Sequence, residues 1–155
     1  MKRNTLFVEV SAARPYDPAV IALCAEQRAE LAGASAGHRD AAVDSLGLRP
    51  DVSFLVARAD TEPVGCAGLQ FLEPGVGEIK RMYVRPAHRG QGISRLLLDA
   101  IERLARDRGA LTVRLETGDL QPEALGFYQF SGYVRIPHYR PYVGSALSLC
   151  FEKRL

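Results

Sequence analysis

The sequence predicts a single α+β domain in which strands and helices are arranged around one sheet. Short stretches of alternating apolar and polar residues indicate strands, and segments with apolar residues at helical spacing lie between them. The 155 residues are about the size of one domain and suffice for a buried core. The chain shows no internal repeat, low-complexity tract or interdomain linker, so residues 1–155 are assigned to one domain.

The first half of the chain is predicted to form a strand, a helix and three further strands. Alternation over residues 6–10 indicates the opening strand. A helix begins at Pro18, with Asp17 as its cap, and ends near Gly33. Residues 34–48 fit either a short second helix or a loop. The next strands are predicted at 52–57, 63–71 and 78–84, with turns between them.

The second half is predicted to contain a long helix and a shorter one between strands. The long helix spans residues 92–108, ends at Gly109, and is expected to carry i,i+4 pairs such as Glu102 and Arg106 on its solvent side. Its apolar stripe consists of Ile93, Leu97, Ala100, Ile101, Leu104 and Ala105. The later elements are a strand at 111–115, a helix at 122–130, a strand at 133–136, a loop at 137–146 and a strand at 147–152.

Composition and charge argue against several classes of function. A formal net charge of +2 gives no overall basicity for binding nucleic acid. The longest apolar run, 19–25, is far shorter than the about 20 residues that cross a membrane, and Glu9 interrupts the short apolar run near the N-terminus. Neither a membrane segment nor a secretory signal is predicted, so a cytoplasmic location is expected. Cys24, Cys66 and Cys150 lack metal-ligand spacing and are interpreted as reduced core thiols, so no metal is expected.

Residues 78–95 combine positive charge, glycine and the start of a helix. No acidic residue lies between Glu78 and Asp99. A strand that leads through a glycine turn into a helix points free backbone N–H groups at an anion, so this segment predicts a site for a phosphate ester. It matches neither a P-loop nor a dinucleotide fingerprint, because Arg95 stands where the latter needs its third glycine. The cationic residues are Lys80, Arg81, Arg85, Arg89 and Arg95.

The segment RGQGIS at residues 89–94 resembles the pyrophosphate signature R/Q-x-x-G-x-G/A of the GNAT acetyltransferase superfamily. MYVRP at 82–86, ALGFY at 124–128 and GY at 132–133 are similar to the same family, and the resemblance covers roughly residues 50–136. It implies the GNAT acyl-CoA N-acyltransferase fold, a central mixed, mostly antiparallel sheet flanked by helices. It also implies transfer of acetyl from acetyl-CoA, as cosubstrate, to an amine.

The resemblance implies a binding site for acetyl-CoA on these residues. Backbone groups of Met82 and Val84, on either side of Tyr83, would pair with the pantetheine arm like an added strand. Gln121 stands where many family members have an asparagine that contacts the cofactor arm, and Ser94 replaces the usual glycine or alanine. The pyrophosphate would be bound by amides of Gly90, Gln91, Gly92, Ile93 and Ser94, with Arg89 and Arg95 beside them. The alternative for the two arginines is a solvated helix end.

Acetyl transfer needs a neutral amine, a stabilised oxyanion and a protonated leaving thiol. An amine with a pKa of about 10.4 is neutral in only about one molecule in 2,500 at pH 7, so its proton must be removed. Glu78 stands at the strand position that serves as general base in some family members, directly or through a water, and Glu116 is the second candidate base or an anchor for a cationic substrate. Tyr128 matches the family's general-acid tyrosine, and the N–H of Met82 would bind the oxyanion. The alternatives are a solvent-facing carboxylate for Glu78 and a packing aromatic for Tyr128.

The acceptor is less well specified by the sequence. The loop at 137–142 is aromatic and cationic, and Tyr139 would line the acceptor pocket if this loop lies where the family places it. Arg81 or Arg140 could bind a carboxylate of the acceptor, which favours an amino acid or a similar small amine. The alternative is a proline-stiffened connection without a ligand role.

The predicted function is direct transfer of acetyl to the primary amine of a small molecule, without a covalent enzyme intermediate. The same motifs are compatible with two alternatives: a non-catalytic, regulatory acyl-CoA-binding module, and an acetyltransferase for protein N-termini or lysines. An aminoglycoside-type enzyme would need an acidic pocket, to which Glu73, Glu78 and Glu116 could contribute. Many family members pair through their sheets, so a homodimer is an expectation from the resemblance alone.

Overall fold

The computed structural model describes residues 6–34, 48–118 and 122–155. Gln121 and most of the segment 34–48 lie outside the described residues, so the predictions made for them are not addressed by the structure. Within the described ranges, three α-helices flank the sheet: α1 (Pro18–Ala34), α2 (Ile93–Asp107) and α3 (Pro122–Phe130). A 3₁₀ turn at Pro86–His88 leads towards α2.

The described residues form one seven-stranded sheet in the order β1-β2-β3-β4-β5-β7-β6. Its only parallel pair among these residues is β4–β5, and the other neighbours run antiparallel. This confirms the predicted mixed, mostly antiparallel sheet. The strands are β1 (Val8–Ala13), β2 (Ser53–Ala59), β3 (Glu62–Glu73), β4 (Val76–Val84), β5 (Thr112–Gly118), β6 (Val134–Ile136) and β7 (Ser148–Arg154).

Two apolar clusters cover the two faces of the sheet. On one face, α1 packs Leu23 and Cys24 against side chains such as Phe54, Cys66 and Tyr83. On the other face lies the larger cluster, which α2 supplies with Ile93, Leu97, Leu98, Ile101 and Ala105. The two faces are called the α1 face and the α2 face below.

The prediction of a solvent-facing Glu102 is wrong. Glu102 is 3% exposed, and Lys153 of β7 donates hydrogen bonds of 2.6 and 3.1 Å to its two carboxylate oxygens. Helical spacing places residue 102 beside Leu98 and Ala105 on the buried side of α2. The charge is tolerated there because a cation from another strand reaches it, a contact that the pattern within one helix does not reveal.

Strand β4 separates from β5 halfway along its length. The parallel pairing runs from Val76–Thr112 to Ile79–Leu115, after which β5 continues beside β7. Within the described residues, the second half of β4 pairs with β3 alone. A wedge therefore opens between β4 and β5 beyond Ile79.

Strand β4 contains a β-bulge at the point where it separates from β5. The β3–β4 register shifts between Cys66 and Gly68, and Arg81 adopts a φ of 55°. Such a backbone conformation costs a non-glycine residue on the order of 1–3 kcal/mol, so the surrounding contacts must hold it. The bulge turns the backbone at Arg81 and Met82 out of the regular ladder, next to the wedge.

Candidate active site

The glycine turn before α2 forms a small cavity. Gly90 and Gly92 have φ values of 74° and 81°, and no described atom lies within 4 Å of where a Cβ would stand on either residue. Among the described side chains none caps the N-terminus of α2, so the first N–H groups of this helix face the cavity side. The cavity has a volume of about 240 Å³ and is lined by Val84, His88, Arg89, Gly90, Gly92, Ile93, Ser94, Arg95 and Phe127. Open space beside glycine, helix N–H groups and cations fit a phosphate group.

The two arginines of this turn have different surroundings. Arg89 donates hydrogen bonds to the backbone oxygen of Val84 (2.8 Å) and to Glu30 (2.7 Å), and its guanidinium lies 5.6 Å from the ring centre of Tyr83. The hydrogen bond with Glu30 raises the pKa of Arg89, which therefore stays charged. Arg95 lies 5.9 Å from the ring centre of Phe127, which is a lining residue of the cavity. Arg89 thus joins the cavity to α1, whereas Arg95 is placed at its α3 side.

The predicted strand segment follows the bulge along the wedge. Val84 lines the cavity, Met82 packs against the cluster of the α2 face, and Tyr83 is buried on the α1 face. Met82 accepts a hydrogen bond of 2.9 Å from the side chain of Gln27 in α1. The backbone of these residues therefore connects the wedge with the cavity. Gln91 is exposed and does not line the cavity.

Glu78 is buried on the α1 face just before the bulge. Its side chain is 1% exposed, and the ammonium of Lys80 lies 3.0 Å from one carboxylate oxygen. Even so, neither carboxylate oxygen has a described partner in hydrogen-bond geometry. The interpretation of Glu78 as a solvent-facing strand residue is therefore wrong. A buried carboxylate has about four acceptor positions, so Glu78 is instead suited to receive a ligand's N–H groups beside Lys80.

Two tyrosines from the loop before β7 surround this carboxylate. The rings of Tyr139 and Tyr142 meet edge to face, with centres 5.3 Å apart. Burial, and after it the negative charge of Glu78, raise the pKa of Tyr139 and of Tyr142. The hydroxyl of Tyr139 is buried, and hydrogen bonding with Glu78 is a further cause of the raised pKa of Tyr139 and of Tyr142. The loop thus places Tyr139 near Glu78.

Glu116 belongs to the same group of side chains. It stands opposite Cys150 in the β5–β7 ladder, two residues beyond Arg114, which is opposite Glu78 in β5. Alternate residues of a strand share a face, so Glu116 lies on the face of Glu78. The charge of Glu116 contributes to raising the pKa of Tyr142. The site therefore contains two carboxylates near one aromatic pair.

Arg81 and Arg140 are placed differently from these groups. Arg81 is the bulge residue, and its backbone oxygen accepts a hydrogen bond from Cys66 at 3.3 Å. Arg140 is exposed on the loop. A third arginine, Arg114, packs 5.5 Å from the ring centre of Tyr139 and donates a 2.8 Å hydrogen bond to Glu152. The guanidinium that contacts Tyr139 is therefore that of Arg114.

Tyr128 lies in the cluster of the α2 face. It is 7% exposed, and its ring centre is 5.3 Å from that of Phe127 and 5.7 Å from that of Tyr133. Burial raises the pKa of Tyr128, so its hydroxyl keeps the proton that a general acid must supply. Met82 packs against the same cluster. Tyr128 is therefore both a packing aromatic and a protonated phenol on the side of the sheet to which Met82 turns.

The comparisons with known proteins agree with these features. A family model for the acetyltransferase (GNAT) family matches residues 19–133. The chain belongs to the GNAT family of acetyltransferases. It is 36% identical to an IAA acetyltransferase from Azospirillum brasilense over 150 residues, which cover 96% of this chain and 98% of that protein. Family membership makes the protein an acetyl-CoA-dependent N-acetyltransferase.

Solved structures show the same architecture. One, assigned to the acyl-CoA N-acyltransferases of Klebsiella pneumoniae, superposes with a TM-score of 0.84 at 36% identity and covers 96% of this chain and 98% of its own. The PaiA N-acetyltransferase of Thermoplasma acidophilum, solved with coenzyme A, has a TM-score of 0.75 at 19% identity, with coverage of 97% and 100%. This second likeness supports the fold alone.

Two further findings concern the described part of the chain. None of its helices has the length and apolar character required to cross a membrane. It also contains no group of three or more His, Cys, Asp or Glu side chains that could hold a metal ion.

Sequence reasoning missed several residues of the enzyme's site. His88 and Phe127 line the cavity, Lys80 pairs with Glu78, and Gln27 and Cys66 contact the bulge. Only Lys80 had a usable signal, because it stands two residues from Glu78 and so shares its face of the strand. His88 and Phe127 adjoin predicted site residues but carry no pattern of their own, whereas Gln27 and Cys66 reach the bulge through tertiary contacts.

Proposed function

We propose that the enzyme transfers acetyl from acetyl-CoA directly to the primary amine of a small molecule, with Glu78 as base and Tyr128 as acid. The observation that carries this proposal is the buried Glu78 carboxylate, which is 1% exposed and lies beside the Tyr139–Tyr142 pair with Lys80 at 3.0 Å. It lies on β4 just before the strand leaves β5. A carboxylate has about four acceptor positions, so these neighbours leave room for the N–H groups of a bound amine.

Acetyl-CoA supplies the acetyl group as a thioester. Met82, Tyr83 and Val84 are proposed to hold its pantetheine arm. Gln121 is proposed to contact the same arm. The turn at 89–95 is proposed to hold its pyrophosphate through backbone N–H groups. The cavity, the two left-handed glycines and the uncapped start of α2 in the described chain support this placement.

In the reaction the amine nitrogen forms the new C–N bond while the C–S bond of the thioester breaks. The proton of the amine passes to Glu78, directly or through a water. The N–H of Met82 is proposed to stabilise the negative charge that develops on the carbonyl oxygen. Tyr128 then gives its proton to the departing sulfur, which is possible because burial raises its pKa and keeps it protonated.

No covalent enzyme intermediate is included in this mechanism. Cys24, Cys66 and Cys150 are all fully buried. Burial also raises the pKa of Cys150, the cysteine opposite Glu116, so that its thiol is a poor nucleophile. Direct attack by the amine is therefore favoured.

The acceptor is proposed to bind on the α1 face between Glu78, Glu116 and the Tyr139–Tyr142 pair. Carboxylates attract a primary ammonium group, and aromatic rings contact it favourably through their faces. Arg81 at the bulge and Arg140 on the loop remain the proposed contacts for a carboxylate of the acceptor. A small molecule is favoured because Glu78, at 1% exposure, lies deep beneath the loop rather than at the surface.

A panel of amines tests the proposed function. Release of free CoA thiol is measured with small monoamines, amino acids, a polyamine, an aminoglycoside, and peptides with a free N-terminus or lysine. Saturable turnover on a small primary amine is expected. Preference for peptides would favour a protein acetyltransferase, and tight acetyl-CoA binding without turnover on any acceptor would favour the regulatory module.

Variants of the acid and the base test their roles. Tyr128→Phe is expected to lower kcat by about 10- to 1,000-fold while acetyl-CoA affinity stays within about threefold, because the phenol acts on the leaving group. Glu78→Gln is expected to remove the acidic limb from the pH profile of kcat/KM. Unchanged turnover in the first variant excludes Tyr128 as the acid, and an unchanged limb in the second excludes Glu78 as the base.

A further inference from the structure

Two side chains outside the strand hold the peptide groups on either side of Met82. The thiol of Cys66 donates a hydrogen bond to the backbone oxygen of Arg81 at 3.3 Å. The side-chain amide of Gln27 donates to the backbone oxygen of Met82 at 2.9 Å. Cys66 comes from β3 and Gln27 from α1, so neither contact is part of the β4 ladder.

The first of these contacts acts on the peptide group that contains the N–H of Met82. The Arg81 oxygen and the Met82 N–H belong to one planar trans peptide, so they point in opposite directions. Cys66 lies in the cluster of the α1 face. By holding the Arg81 oxygen towards this face, it directs the Met82 N–H away from it. A hydrogen bond accepted by the oxygen also polarises the peptide and strengthens its N–H as a donor.

The second contact fixes the next peptide group. Gln27 is joined to Met82 across 55 positions of sequence, and its other amide atom, Oε1, is buried without a described partner. Arg81 precedes both peptide groups. Its φ of 55° is a backbone conformation that non-glycine residues rarely adopt. Contacts from outside the strand must therefore keep the bulge in one conformation.

The chemical state of Cys66 is compatible with this role. The interaction with the neighbouring Cys24, followed by burial, raises the pKa of Cys66 well above its ordinary value, and the one hydrogen of the thiol is shared between the Cys24 sulfur and the Arg81 oxygen. The side chain is 0% exposed. The sulfur therefore keeps its hydrogen at neutral pH and remains a donor.

We propose that Gln27 and Cys66 are positioning residues that hold the N–H of Met82 in place as the oxyanion donor. This inference rests on the proposed function, which assigns that N–H to the developing oxyanion. Neither side chain touches the reacting atoms. Each acts through a backbone oxygen that it binds.

The kinetic test uses Gln27→Met, which keeps the length of the side chain and removes its donor. We expect kcat to fall by about 10- to 100-fold, since a displaced oxyanion donor costs part of the 10²- to 10³-fold effect of its removal. The KM for acetyl-CoA is expected to stay within about twofold. Glu26→Gln is the matched control: Glu26 ties α1 to Arg85 through bonds of 2.9 and 3.0 Å without contacting the bulge. It should lower thermal stability but leave kcat within about twofold.

Cys66 provides a second, independent pair of variants. Cys66→Ala removes the donor and is expected to lower kcat by about 3- to 10-fold, because a thiol is a weak donor. Cys66→Ser restores a donor of similar size and should recover kcat to within about twofold of the wild type. Equal kcat in the alanine and serine variants would overturn the role of Cys66, even if Gln27→Met does not fold.

The infrared spectrum of bound acetyl-CoA, labelled with ¹³C at the thioester carbonyl, reports the donor directly. In the wild type the carbonyl band should move to lower frequency than in solution, and in Gln27→Met it should return towards the solution value. An identical shift in both proteins overturns the inference and leaves the proposed oxyanion donor standing. A wild-type band without any shift overturns both.

Discussion

At the scale of single residues, two buried glutamates have opposite surroundings. Glu78 is 1% exposed, with Lys80 at ion-pair distance but no described hydrogen bond to either oxygen. Glu102 is 3% exposed and accepts two well-formed hydrogen bonds from Lys153. A carboxylate that is hydrogen-bonded on both oxygens contributes to the stability of the fold, whereas one held mainly by a partly exposed ion pair is less well compensated for its burial. Such a cost is common where a residue is retained for chemistry.

This contrast leads to a prediction for the two glutamine variants. Glu78→Gln should change the free energy of unfolding by less than about 1 kcal/mol, because Lys80 is 28% exposed and can turn to water, yet it should abolish most activity. Glu102→Gln should lose about 1–3 kcal/mol, because it gives up charged hydrogen bonds, and should keep its kcat. Urea unfolding and steady-state rates measure both quantities. A large loss of stability in Glu78→Gln would show that the carboxylate is structural.

At the scale of secondary-structure elements, the start and the end of α2 offer a matched comparison. Gly92 precedes the helix with a φ of 81°, and Gly109 follows it with a φ of 88°. Neither has a described atom within 4 Å of an added Cβ. Alanine at either position meets the same backbone penalty, about 1–2 kcal/mol for the left-handed conformation. Only Gly92 lines the cavity.

Gly92→Ala and Gly109→Ala should therefore destabilise the protein similarly but differ in substrate binding. We expect the KM for acetyl-CoA to rise by about tenfold or more in Gly92→Ala, the equivalent of one lost hydrogen bond to a charged group. In Gly109→Ala it should stay within about twofold. Thermal unfolding and initial rates at varied acetyl-CoA provide the comparison. Equal KM values in the two variants would contradict a phosphate site at the turn.

The elements differ in how far the sequence predicts them. The glycine turn and α2 are predicted well, because left-handed glycines and an apolar stripe are local features that the printed sequence displays. The bulge at Arg81 was not predicted, because its φ of 55° occurs at an arginine and is held by Gln27 and Cys66, which are distant in sequence. The burial of Glu78 was likewise undecided, since strand alternation gives the same pattern for a carboxylate facing water and one facing a closed loop.

At the scale of the whole molecule, the sheet separates two kinds of chemistry. The α1 face holds the carboxylates and the Tyr139–Tyr142 pair, whereas the α2 face holds Tyr128 in the larger apolar cluster. The wedge between β4 and β5 connects the two faces of the sheet, because within the described chain β4 has no strand partner there on its β5 side. Under the proposed function, an amine on the α1 face and a thioester on the α2 face would meet at the bulge without either entering the apolar core.

The burial of many tyrosines on both faces predicts unfolding at high pH. Burial raises the pKa values of Tyr83, Tyr128, Tyr133, Tyr139 and Tyr142. Above the ordinary tyrosine pKa of about 10, the unfolded chain loses these protons while the folded protein keeps them. The unfolded state then binds fewer protons, so the free energy of unfolding falls as the pH rises, by about 1.4 kcal/mol per pH unit for each tyrosine. Below about pH 9 this contribution is fully present.

Tyr133→Phe tests this behaviour for one tyrosine. Its hydroxyl is buried and interacts with Glu102, so at neutral pH the variant should lose no more than about 1 kcal/mol of the free energy of unfolding. Between about pH 10 and about pH 11, its free energy of unfolding should fall by about 1 kcal/mol less than that of the wild type, because one fewer proton is released. Urea unfolding at several pH values gives both slopes, and phenolate absorbance should rise together with the loss of circular dichroism. Parallel slopes would show that Tyr133 already titrates in the folded enzyme, and that its cluster admits water.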